Sequence, residues 1–212
     1  MSEEQALREA IVATMRAMEA RGLNRGTSGN VSARWDGGML VTPSGVVPDA
    51  LTPASIVAVR ADGTFAEGGN RPSSEWRMHL GIYCRRPDAQ AVVHCHSRHA
   101  TILACAGLPI PPLHYMVAVS GGDTVPVAPY ATFGSEELAA SVVETLQGRR
   151  ACLMANHGLI ALGRDLRSAL AITEEMEEQA AVYWGTLAIG GPRLLNEEQI
   201  DAVLRAFKGY GQ

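Results

Sequence analysis

The sequence predicts one α/β domain, with a mostly antiparallel or mixed sheet flanked by helices. Short apolar runs of strand character, such as Ala-Val-Val-His-Cys-His and Ala-Cys-Leu-Met-Ala-Asn, alternate with longer amphipathic segments. Gly, Pro and Asp turns separate them at short intervals. The 212 residues can bury a sizeable core, and neither a repeat nor a linker divides them, so 1–212 is assigned to a single domain.

The elements follow in order. Ser2 with Gln5 reads as a capping box opening a helix over residues 3–21, with Leu7, Ile11, Val12, Met15 and Met18 on one face and Gly22 as its stop. Residues 31–33, 38–42 and 56–60 read as short strands. A helix starts after Ser73 or Ser74 and ends before Pro87, because the residue before proline avoids the α region. Residues 91–96 form a strand and 97–106 a helix. Residues 114–120 and 124–128 are expected to be strands. Ser135 caps a helix to about 147, with Glu136 and Glu137 at its positive end. Strands at 151–156 and 159–162 flank His157. Asp165 opens a long helix to about 189, and Asn196 with Gln199 opens the last one.

Composition narrows the function. A formal net charge of −4 argues against a nucleic-acid partner, and no apolar run reaches the length of a membrane span. The acidic, polar start Met-Ser-Glu-Glu-Gln reads as neither a signal nor a transit peptide. Cys84, Cys95, Cys105 and Cys152 form no CxxC pair and are expected to be buried thiols, so a reducing cytoplasm is the expected setting. Lys208 is the single lysine, at the end of the last helix, where it reads as a helix-end cation rather than a Schiff-base amine.

His94 and His96 stand at i and i+2 in a strand, so both imidazoles face one side and Cys95 the other. His157 lies in a tight Asn-His-Gly turn able to project its ring into a cleft. Three neutral imidazoles with a vacant position are one way catalytic zinc is held. His79 and His99 fall at helical positions and read as packing or surface residues. Gly26-Thr27-Ser28-Gly29-Asn30, Thr42-Pro43-Ser44-Gly45 and Pro72-Ser73-Ser74 can each present backbone N–H groups and hydroxyls to an anion. Singly each is a turn or a cap; together, beside a metal site, they suggest a phosphate pocket. Glu75 reads either as a carboxylate stabilised by the helix dipole or as an acid/base beside a metal, and the residues alone leave both open.

These segments resemble the class II aldolase/epimerase/adducin-head family. The matching stretches are Leu-Asn-Arg-Gly-Thr-Ser-Gly-Asn-Val-Ser, Leu-Val-Thr-Pro-Ser-Gly, Pro-Ser-Ser-Glu-Trp-Arg-Met-His, Ala-Val-Val-His-Cys-His, Ile-Pro-Pro-Leu-His-Tyr-Met, Ala-Pro-Tyr-Ala-Thr-Phe-Gly and Asn-His-Gly-Leu-Ile-Ala, through to Phe-Lys-Gly-Tyr-Gly. The resemblance implies a three-layer α/β/α sandwich around a mainly antiparallel sheet, assembled as a C4 homotetramer with sites between subunits. It implies that His94, His96 and His157 ligate Zn²⁺, with Mn²⁺, Co²⁺ or Fe²⁺ as substitutes. Glu75 would be the acid/base and a metal ligand when substrate is absent. Thr27, Gly29, Asn30, Ser44, Gly45, Ser73 and Ser74 would surround the substrate phosphate. Tyr115 would donate a proton in a neighbouring subunit's site, and Phe133 and Tyr210 would line the aldehyde end.

The implied reaction is reversible cleavage of a deoxy-ketose 1-phosphate to dihydroxyacetone phosphate and a short aldehyde. L-fuculose 1-phosphate would give lactaldehyde, 5-deoxyribulose 1-phosphate acetaldehyde, and 5-methylthioribulose 1-phosphate (methylthio)acetaldehyde. Zinc would stabilise the developing enediolate in place of a lysine iminium. A pentulose-phosphate 4-epimerase, a sugar-acid-phosphate decarboxylase or dehydratase, and an adducin-like interaction module are the alternatives. Glu75-Trp76-Arg77 after the serine pair is the aldolase pattern rather than the epimerase one, and an interaction module needs no metal ligands.

Overall fold

The computed structural model describes residues 2–207, so Lys208 and Tyr210 lie outside the described residues. Seven strands form one sheet: β1 (Asn30–Trp35), β2 (Gly38–Val41), β3 (Val57–Val59), β4 (Ala91–Cys95), β5 (Val127–Ala128), β6 (Ala151–Met154) and β7 (Gly158–Gly163). Six α-helices accompany them: α1 (Glu3–Ala20), α2 (Trp76–Arg85), α3 (Arg98–Ala106), α4 (Glu136–Thr145), α5 (Leu166–Leu187) and α6 (Glu197–Phe207). The strand order is β3-β2-β1-β4-β7-β6-β5, antiparallel throughout except for the β5–β6 pair.

Strand alternation divides the interior into two cores. Val93, Leu159 and Ala161 turn to one face, where Ile11, Met15, Leu103 and Met176 of α1, α3 and α5 cover them. Val92, Ile160 and Leu162 turn to the other, under Met78 and Ile82 of α2 and Leu138 and Val142 of α4. Helices on both faces make the three-layer α/β/α sandwich around a mainly antiparallel sheet. No helix among the described residues is long and apolar enough to cross a membrane.

Several local expectations are corrected. Residues 114–120 are not a strand: Tyr115–Ser120 is a 3-10 helix. The His114 ring accepts a hydrogen bond from the Met116 N–H at 3.2 Å, and Gly121 at φ 92° turns the chain out of the helix. Local capping and burial of Val117 and Ala118 thus override the β propensity of Tyr, Val and Val. The strand expected at 124–128 shrinks to Val127–Ala128, since Pro126 has no N–H for a ladder. Cys84 and Cys105 are exposed, and only Cys95 and Cys152 are buried, because the first two fall on the outer sides of α2 and α3. The N-terminal capping box is half formed: Gln5 N–H donates to Ser2 Oγ, while the Gln5 side chain turns to Glu9.

The fold brings three distant segments to one place. Strand β4 is central, and both its neighbours run antiparallel to it. Its C-terminal end therefore meets the start of β1, where Asn30 pairs with His94, and the start of β7, where Leu159 pairs with Cys95. The residue before β7 is His157. Helix α2 covers this end, with Glu75 at its N-cap.

Candidate metal centre

His94 and His96 leave the end of β4 on the same side, as the two-residue spacing requires. His157 reaches them from the turn between β6 and β7. That turn needs Asn156 in the left-handed region, at φ 56°, a conformation asparagine tolerates. It also needs Gly158, because a Cβ there would lie 2.4 Å from the Cys95 carbonyl oxygen. The three rings pack mutually edge-on, with centroids 4.8 to 4.9 Å apart. One ligand atom from each lies within 4.8 Å of the others.

Glu75 completes the cluster. Its Oε2 is 3.1 Å from His94 Nε2 and its Oε1 is 3.2 Å from His157 Nε2. It is the N-cap residue of α2, one position earlier than the helical turn expected, and its side chain makes no capping bond. It turns into the site instead.

The donor set can be tested for a cation. His94 Nδ1–H donates to the Leu159 carbonyl at 2.9 Å, so in the neutral ring Nε2 carries a lone pair. That lone pair faces His96 Nε2 at 3.1 Å and the Glu75 carboxylate, which can only accept. Glu75 Oε1 is buried without a hydrogen-bond partner. Lone pairs converging without protons are stable only around positive charge. Three imidazole nitrogens with an adjacent carboxylate thus fit a divalent metal ion of borderline softness.

The rings and the carboxylate also act on one another's charge. Burial opposes charge on Glu75, but His94, His157 and the Asn30 amide outweigh it and hold the carboxyl well below the usual range. Burial likewise opposes charge on His94, yet the Glu75 carboxylate and the Leu159 carbonyl raise it above an ordinary histidine. His96 and His157 are pushed down to about 4, first by burial and then by His94. Beyond the ligands, Asn24 Oδ1 accepts the His96 backbone N–H at 3.1 Å and fixes that end of the strand.

A cavity of about 310 Å³ opens beside the cluster. Glu75, His96 and His157 form one wall, while His94 is fully buried behind them. All three loops singled out by sequence line it: Thr27, Gly29 and Asn30 from the first, Ser44 and Gly45 from the second, Ser73 and Ser74 from the third. Two loops are zipped together, Ser44 N–H donating to the Arg71 carbonyl and Ser73 N–H to the Thr42 carbonyl. Those amides are spent, so an anion there would meet hydroxyls and the remaining backbone. Gly29 is at φ 72°, and a Cβ on it would lie 2.1 Å from Asn24 Nδ2, so the first loop closes down on Asn24.

Phe133 also lines the cavity and is 66% exposed. Tyr115 does not reach it; half-exposed on the 3-10 helix, it stacks on His114 at 4.6 Å. Tyr210 lies outside the described residues. No sequence motif marks Asn24, Tyr130, Ala131 or Asn156 as site residues, yet the last three line the cavity. His79, which reads from the sequence as a packing or surface residue, is fully buried and bonded to Asn30. Its spacing four residues after Glu75 on one helical face was the available signal.

Comparison with known proteins identifies the family. The family model described as "Class II Aldolase and Adducin N-terminal domain" matches residues 9–184. A 5-methylthioribulose-1-phosphate/5-deoxyribulose-1-phosphate aldolase of Rhodospirillum rubrum is 45% identical over 206 residues, 97% of this chain and 93% of its own. An L-fuculose phosphate aldolase of Escherichia coli K12 is 46% identical over 210 residues, 99% of this chain and 97% of its own. A solved structure of an L-fuculose 1-phosphate aldolase superposes with a TM-score of 0.93 at 37% identity, covering 98% of both chains. With a family model spanning most of its length and relatives of this identity along nearly all of it, the chain belongs to the class II aldolase and adducin N-terminal domain family.

Proposed function

We propose that this chain is a metal-dependent class II aldolase. It reversibly cleaves a deoxy-ketose 1-phosphate to dihydroxyacetone phosphate and a short aldehyde. The substrates are those named for its relatives: L-fuculose phosphate, 5-deoxyribulose 1-phosphate and 5-methylthioribulose 1-phosphate. The observation that carries the reading is the joint placement of the histidine–Glu75 cluster and the serine- and glycine-lined cavity. An adducin-like module has no use for either.

His94, His96 and His157 would hold the ion, which we take to be Zn²⁺ from the nitrogen-rich donor set. When bound, it supplies Lewis-acid stabilisation of charge developing on substrate oxygen. The rest falls to the chain. Thr27, Gly29, Asn30, Ser44, Gly45, Ser73 and Ser74 surround the phosphate and fix the reacting carbons beside Glu75, so remote binding energy serves orientation. Glu75, with Oε1 unpartnered, moves the proton to and from the dihydroxyacetone phosphate carbon. Tyr115 is half-exposed and does not line its own cavity, which suits a group that protonates the aldehyde-side oxygen in a neighbouring subunit. A C4 homotetramer, a cytoplasmic location and an aldehyde end lined by Phe133 and Tyr210 complete the proposal.

A substrate screen for dihydroxyacetone phosphate release, with and without chelator, tests it. Chelator-sensitive cleavage of at least one of the three ketose phosphates is expected, and their kcat/KM ratio ranks the aldehydes. Decarboxylation of a sugar-acid phosphate with no cleavage of any of the three would sink the reading.

A further inference from the structure

Five buried side chains form one hydrogen-bonded chain beneath the cavity. Tyr83 Oη lies 2.8 Å from Ser32 Oγ, and Ser32 Oγ 2.7 Å from His79 Nδ1. His79 Nε2 lies 2.5 Å from Asn30 Oδ1, and Asn30 Nδ2 2.9 Å from Glu75 Oε2. The chain follows from two periodicities. Glu75, His79 and Tyr83 are four residues apart along the start and body of α2, and Asn30 and Ser32 are two apart on β1, so both sets face each other.

Its proton directions can be derived. An ionised carboxylate only accepts, so Asn30 must turn its amide nitrogen to Glu75 and its oxygen to His79. His79 Nε2 must then carry the hydrogen. Burial, reinforced by His94, lowers His79 to about 3 and keeps it neutral, so Nδ1 accepts from the Ser32 hydroxyl. Ser32 Oγ in turn accepts from Tyr83, whose hydroxyl burial keeps protonated. Every donor points toward Glu75, and dipoles so aligned reinforce one another.

We propose that His79 is a positioning residue for the reaction: through the Asn30 amide it fixes the Glu75 carboxylate in the geometry for proton transfer. This rests on the aldolase reading above. The two ends of an asparagine amide are nearly the same shape, and only a partner that tells oxygen from nitrogen fixes which end faces Glu75. His79 Nε2–H is that partner. Without it the amide can present oxygen to the carboxylate and push it away. With it, Oε2 is held by Asn30 while Oε1, without a hydrogen-bond partner, faces His157.

The test compares His79→Gln, whose amide nitrogen can occupy the place of Nε2, with His79→Leu and His79→Asn, which put no donor at Asn30. His79→Leu should lower kcat about 10- to 100-fold with KM within about 3-fold, as a misplaced catalytic group does. His79→Asn should do the same. His79→Gln should recover most of kcat. Enzyme-catalysed hydrogen–deuterium exchange at the carbon of dihydroxyacetone phosphate, without aldehyde, isolates the transfer: the carboxylate takes the proton, exchanges with solvent and returns a deuteron. It should fall in parallel with kcat. If the leucine variant does not fold, the asparagine–glutamine contrast decides. Wild-type kcat in the asparagine variant, or an equal kcat loss in asparagine and glutamine variants, would overturn the proposal. Nitrogen-15 NMR of the wild type should find His79 neutral with its proton on Nε2; a proton on Nδ1 would also overturn it. That readout needs no turnover, so an inactive wild type would count against the aldolase reading and leave the chain separately testable.

Discussion

Glu75 Oε2 stands 3.1 Å from His94 Nε2, a nitrogen whose ring partner Nδ1 is already committed to the Leu159 carbonyl. The backbone of β7 thus sets the tautomer of a ring on β4 and aims its lone pair at the carboxylate. A second group holding the far side of a histidine ligand is a recurring way to orient it. His94→Ala should therefore abolish metal binding and turnover together. Metal analysis after dialysis should fall to background, and added zinc should not restore cleavage. Stoichiometric metal with activity intact would remove His94 from the ligand set.

Glu75→Gln separates metal binding from proton transfer. The amide has nearly the same shape but cannot take a proton. Bound metal should persist, while kcat falls about 10²- to 10⁴-fold, the range for a lost acid/base group. Loss of metal in parallel with kcat would instead make Glu75 chiefly a ligand.

Tyr115 does not line its own cavity, so its role can be tested across subunits. Tyr115→Phe should keep metal and fold and slow cleavage about 10²-fold. Glu75→Gln fails in its own cavity, whereas Tyr115→Phe would fail in a neighbour's. Co-assembled at equal amounts, the two inactive variants should recover about a quarter of wild-type activity, because that fraction of sites would pair an intact Glu75 with an intact Tyr115. No recovery in verified mixed oligomers would place both residues in one subunit's site or remove Tyr115 from the mechanism.

Legibility in the sequence followed the range of the interaction. His94 and His96 share a face because a strand has period two, and that is local. His157 was visible because Asn-His-Gly can hold only a tight turn. The three loops announced themselves by glycine and hydroxyl content. What stayed hidden depended on strand order. Nothing local says that β1 lies beside β4, and without that pairing Asn30 does not meet His94 and His79 has no polar partner. His79 reads as a packing or surface residue because a single histidine on an amphipathic helix looks the same either way. Residues 114–120 misled for the opposite reason: their β propensity is real, but the His114 cap and Gly121 decide the conformation.

Gly29→Ala tests the tight fit of the first loop. Its φ of 72° disfavours any side chain, and the added methyl would meet the Asn24 amide at 2.1 Å. A loss of about 1–3 kcal/mol in stability is expected from the strain. Displacing Asn24 also releases the His96 N–H it holds, so KM for the phosphate substrate and metal affinity should both worsen. A variant with wild-type melting temperature and KM would mean the loop relaxes freely.

The buried His79 makes a prediction about pH. Its folded value of about 3 lies below the ordinary 6.5, so between these values the unfolded chain binds a proton that the folded chain does not. Stability from this group is complete above pH 6.5 and is lost as pH falls, by up to about 1.4 kcal/mol per unit. Urea unfolding with chelator present removes metal release as a competing source of acid sensitivity. Between pH 7 and pH 5 the wild type should lose more stability than His79→Gln, whatever the variant's stability at pH 7. Parallel losses would mean that His79 does charge inside the fold, and the hydrogen-bond directions running from Tyr83 to Glu75 would have to reverse at that ring.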